Sequence, residues 1–124
     1  MVLAVVDDLL FSSKIRAVAS STGRPVAFVR DRAAIVASIR ERQPSLVIFD
    51  LDRASLDPIG AIAEIRSQTD LAGVRLVGFA SHVHADLFAA ARAAGIDLAL
   101  ARSGFVTALP ELMATDAAPP AEAS

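Results

Sequence analysis

The chain has 124 residues, of which 54% are hydrophobic and only 5% aromatic, and it carries a formal net charge of −2. That length predicts one domain, able to bury roughly two-thirds of its unfolded surface in an alanine-rich, aliphatic core. The charge gives no general attraction to nucleic acid, the lack of cysteine excludes disulfides and thiolate metal sites, and no apolar run is long enough to span a membrane.

Val2-Leu3-Ala4-Val5-Val6 reads as a first buried strand ending at Asp7-Asp8. The run from Met1 to Val6 is too short for a signal peptide and has no basic flank, so a cytoplasmic protein is expected. A helical stripe follows at Leu10, Phe11, Ile15, Val18 and Ala19, stopped by Gly23 and Pro25. Val26 to Val29 form a second strand. Asp31 caps a helix carrying Ala34, Ile35 and Ile39, and Pro44 ends it. Leu46-Val47-Ile48-Phe49-Asp50 has the continuous apolar character of a strand covered on both faces, with a carboxylate at its C-terminal end. After a polar loop over 51–57, Asp57-Pro58 starts a helix that runs to about Gln68. Val74 to Phe79 make a fourth strand. A helix from Ser81 or His82 to Ala94 is closed by Gly95, and Ile96 to Ala101 make a fifth strand. Ser103 caps a last helix through Phe105, Val106, Leu109, Leu112 and Met113. Pro110 inside that pattern predicts either a kink or a late start near Thr107. The Ala/Pro-rich tail over 115–124 has no core-forming residues and is expected to be disordered, leaving a domain over 1–114.

Strands that alternate with helices imply right-handed crossovers and a parallel sheet between two helix layers. The C-terminal strand ends then share one edge, where ligands of open α/β sheets bind. Asp7, Asp8, Asp50 and Arg102 all fall there. Gathered carboxylates repel unless a cation sits among them, and such an oxygen-rich pocket suits Mg²⁺. One carboxylate could then attack a phosphoryl group. The plainer alternative is that Asp7 and Asp8 cap the first helix and Asp50 a turn.

Val5-Val6-Asp7-Asp8, Asp50, Asp57 seven positions later and Ala93-Ala94-Gly95 together resemble the receiver domain of two-component response regulators, over residues 1–114. The resemblance implies a flavodoxin-like (βα)5 sandwich with strand order 2-1-3-4-5. It implies Asp50 as phosphoacceptor. It places Mg²⁺ on Asp8, Asp50 and the backbone carbonyl of Asp52, with Asp7 acting through a metal-bound water. It also implies a protein partner (a histidine kinase, phosphotransfer or effector protein) docking on residues 83–114, a face that would equally serve a homodimer. Neither nucleic acid nor membrane is an expected partner.

Several positions depart from the family pattern. Arg102 stands in place of its lysine, followed by Ser103 instead of proline, and the planar guanidinium is not a conservative substitute. Ungapped counting puts Ala80 at the hydroxyl position, and a shift by one residue brings in Ser81. Ala99 stands at the switch aromatic, and Arg53-Ala54 at the usual Met-Pro. These changes leave a second reading, a phosphate-independent interaction module on the same fold.

Asp50-Leu51-Asp52 also resembles the first motif of haloacid-dehalogenase phosphatases, with Asp50 as nucleophile and Asp52 as general acid. Ala54 breaks that motif and no acidic pair follows it, so the chain is not expected to be an enzyme. His82, His84 and Asp86 read as solvated helix-start residues. Arg24, Arg30, Arg32, Arg40 and Arg42 read as a solvated face.

Overall fold

Apolar side chains on both sides of every central strand require cover on both sides, and the helices provide it. The computed structural model describes residues 1–116, with side chains described through residue 114. Its elements alternate as β1 (Val2–Val5), α1 (Leu9–Thr22), β2 (Val26–Phe28), α2 (Ile35–Arg42), β3 (Leu46–Asp50), α3 (Pro58–Ser67), β4 (Arg75–Ala80), α4 (Ala85–Ala94), β5 (Leu98–Ala101) and α5 (Arg102–Asp116). The sheet has five strands in the order β2-β1-β3-β4-β5, all pairings being parallel. This is the flavodoxin-like arrangement expected from the sequence.

Residues of β1 and β3 alternate between two cores. Leu3, Val5, Val47 and Phe49 pack with Ile35 and Ile39 of α2, Ile62 and Ile65 of α3 and Ala91 of α4. Val2, Ala4, Leu46 and Ile48 pack with Phe11 and Ile15 of α1 and with Phe105, Leu109 and Met113 of α5. Among these, Phe79 of β4 stacks between Phe11 and Phe105, with ring centroids 4.5 and 4.6 Å away. The register aligns Val5 with Phe49, Asp50 with Phe79, and Ala80 with Ala101. The residues that follow these strand ends therefore meet at one rim.

Local boundaries follow the caps. Asp8 starts α1 by accepting the Phe11 N–H at 3.1 Å. Gly23, in the left-handed region at φ +70°, closes it. Asp57 accepts the Gly60 N–H at 3.3 Å and Pro58 opens α3. Arg66, near the end of α3, donates to the Gly95 carbonyl at 2.7 Å, the Val74 carbonyl at 2.9 Å and the Asp97 carboxylate at 2.6 Å, tying α3 to the segments flanking β4 and β5.

Three helix starts differ from expectation. Asp31 caps a short 3-10 turn over Arg32–Ala34, and α2 begins only at Ile35. The fourth helix starts at Ala85, because residues 81–84 make a turn in which the His84 N–H bonds the Ser81 carbonyl at 3.0 Å. The last helix begins directly after β5 at Arg102 and passes through Pro110. Both Pro110 and Val106, four residues earlier, are exposed, so water can take the carbonyl left without an intrahelical donor. That helix reaches Asp116, into the segment expected as a tail; the remainder of that tail, 117–124, lies outside the described residues.

Candidate functional site at the C-terminal edge of the sheet

Asp50 ends β3 and is 3% exposed. Its Oδ1 accepts the Asp52 N–H at 3.0 Å. Burial pushes the Asp50 carboxyl above the usual carboxylate range, against the pull of the Asp52 N–H and the Arg102 cation.

The Asp52 side chain is the most connected group of the rim. Its Oδ1 accepts a hydrogen bond from His84 Nδ1 at 2.8 Å. Its Oδ2 accepts from the Ser81 N–H at 2.8 Å and from Arg102 Nε at 3.1 Å, with Arg102 Nη2 at 2.9 Å. Burial by itself would raise this carboxyl, but His84, the Ser81 N–H and Arg102 outweigh it and hold Asp52 below the usual range. A carboxylate kept ionised in this way is poorly suited to the general-acid role of the phosphatase reading. Arg102 also lies over the Phe11 ring, 5.3 Å from its centroid, so the core aromatic supports the cation from below.

Asp7 and Asp8 stand at the end of the neighbouring strand, each with a partner of its own. Asp8 is engaged in capping α1. Asp7, with its side chain 42% exposed, faces Arg30 at 3.4 Å, and its backbone carbonyl accepts from Arg53 Nη2 at 3.2 Å. Among the described residues, no group of three or more His, Cys, Asp or Glu side chains is disposed to hold a metal ion. Carboxylate oxygens are the donor type that a hard divalent cation takes. Asp8 and Asp50 each commit only Oδ1 to a described hydrogen bond, which leaves a second carboxylate oxygen on each.

The structure thus joins Asp50, Asp52, Ser81 and Arg102 in one network, with Ser81 contributing its amide. The sequence pattern does not place the Asp52 side chain or His84 in such a network. It offers Asp52 only through its backbone carbonyl or as a general acid, and His84 as a solvated helix-start residue. The available signal was an acidic residue two positions beyond a strand-end Asp. The arginines of the second strand and helix are engaged locally. Arg32 pairs with Asp57 at 3.2 Å and Glu64 at 3.1 Å, and Arg40 pairs with Asp70 at 3.0 Å.

No family model matches the chain, and no curated protein matches it in sequence. Solved structures do match. The receiver domain of sensor histidine kinase PA1611 from Pseudomonas aeruginosa, with a magnesium ion coordinated in its active site cleft, is 23% identical; the match covers 92% of this chain and 93% of that one, with a TM-score of 0.78. A response regulator from Hahella chejuensis is 18% identical over 94% of this chain and 93% of its own, with a TM-score of 0.81. The chemotaxis response regulator CheY4 of Vibrio cholerae is 15% identical over 93% and 96%, with a TM-score of 0.78. The fold of this chain is the one these receiver domains adopt. No helix among the described residues is long and apolar enough to cross a membrane.

Proposed function

We propose that this chain is a receiver-like signalling module of the two-component type, with Asp50 as its phosphoacceptor, acting through contact with a protein partner. The observation that supports this reading best is the buried Asp50 carboxyl at the end of β3, held by the Asp52 N–H and influenced by the Arg102 cation, on a fold shared with receiver domains. A carboxylate so fixed can attack a phosphoryl group in line, forming the acyl phosphate as the donor's leaving group departs. The backbone donor orients the attacking carboxylate, and the guanidinium offsets charge on the phosphoryl oxygens. Asp8, Asp50 and the carbonyl of Asp52 would hold Mg²⁺, with Asp7 acting through a bound water. The ion would supply charge neutralisation.

The partner would be a histidine kinase, phosphotransfer or effector protein, meeting the surface over 83–114. There α4 presents the exposed Ala89 and Ala93, and β5 forms a half-buried sheet edge. The same surface would serve a second copy of the chain. The phosphate-independent reading gains support from one observation: Asp52 already engages Arg102 and the Ser81 N–H.

Backbone amide shifts during titration with Mg²⁺ and then beryllofluoride test the proposal. The expected result is a change at Asp50 and Asp52 on adding the fluoride, extending to Ser81 and Arg102. Unchanged Asp50 and Asp52 amides at saturating reagent would overturn Asp50 as phosphoacceptor.

A further inference from the structure

The Asp52 carboxylate accepts from an imidazole, a backbone amide and a guanidinium, and its side chain is 11% exposed. These donors come from two separate places: Ser81 and His84 from the turn between β4 and α4, and Arg102 from the first residue of α5. We propose that they form an oxyanion site in which Asp52 is the resident anion, and that the site, cleared of this carboxylate, takes a tetrahedral oxyanion of the phosphate class.

Every described group bonded to the Asp52 carboxylate donates, and the guanidinium brings a fixed positive charge in a planar fork. Such a set favours an oxygen anion over any neutral ligand. It is preorganised, because the amide belongs to the residue after a central strand and the Arg102 cation rests over Phe11. Asp52 reaches it from β3 without leaving its turn, since its own N–H is bonded back to Asp50. The chain's own side chain therefore joins β3, the turn before α4 and the start of α5 in the way a bound oxyanion would. In this respect the inference deepens the proposed function: a phosphoryl group on Asp50 would compete with Asp52 for the same donors. The oxyanion site itself stands whether or not Asp50 is phosphorylated.

The test uses the full chain as wild type, Asp52→Ala, Asp52→Asn and the double variant Asp52→Ala/Arg102→Ala, titrated with inorganic phosphate at constant ionic strength. Binding is read from the Ser81 amide shift. Asp52→Ala is expected to bind phosphate at least about tenfold more tightly than wild type, and the double variant should lose that gain. Asp52→Asn removes the charge while keeping the volume; it should shift in the same direction and decides the matter if the alanine variant does not fold. Phosphate affinity no higher than wild type in the folded Asp52 variants would overturn the proposal, as would a gain that survives the loss of Arg102. A phosphate gain without any beryllofluoride response would remove the phosphoacceptor reading and leave the oxyanion site standing. The reverse pair of results would do the opposite.

Discussion

Replacing Phe79 with alanine should cost about 3–5 kcal/mol of folding stability, the range for a fully buried phenylalanine. Phe79 is 0% exposed and lies between the rings of Phe11 and Phe105. Alanine would leave a cavity where α1 and α5 meet the sheet, and neither flanking ring could close it without moving its own helix. Phe79→Leu refills part of the space and should cost less. Urea unfolding with an unchanged m-value checks both variants. Because the same two helices carry Phe11 beneath Arg102 and Arg102 itself, Phe79→Ala should also disturb the Ser81 and Arg102 amides in the folded protein. A loss below 1 kcal/mol would mean that the stack does not anchor these helices.

Asp50→Asn should have the opposite sign near neutral pH, raising stability. The folded state raises the Asp50 pKa, chiefly through burial. Below the ordinary carboxylate pKa the group is protonated both folded and unfolded, and burial carries no ionisation cost. As pH rises through the folded-state pKa, a buried carboxyl is forced to ionise and stability falls. Asparagine keeps an oxygen for the Asp52 N–H and never ionises. Its advantage should therefore be near zero at low pH and reach a plateau toward neutrality. Chemical denaturation at a series of pH values reads this difference directly. An advantage that is constant with pH, or largest in acid, would contradict the assigned environment.

The fold was legible because its rules are local and double-sided. Each strand is a short apolar run that two helix layers must cover, and Asp8, Gly23, Asp57 and Gly95 stand where the helices start and stop. The misread boundaries depended on the tertiary setting. Pro110 reads as a helix breaker, yet the solvated side of α5 tolerates it. The fourth helix starts late because residues 81–84 turn toward Asp52. The same contrast governs the site. Asp50 and Arg102 announce themselves by following apolar strands, whereas Asp52 acquires its role from His84, Ser81 and Arg102, which lie 29 to 50 positions away. Pair spacing along the chain carries no signal for a network closed by three strand ends.

Phosphotransfer from acetyl phosphate in the presence of Mg²⁺, followed by intact-mass spectrometry, tests Asp50 as the phosphoacceptor. Wild type is expected to gain one phosphoryl group, Asp52→Ala to gain it faster, and Asp50→Asn to gain none. No incorporation in either wild type or Asp52→Ala, or undiminished incorporation in Asp50→Asn, would contradict it.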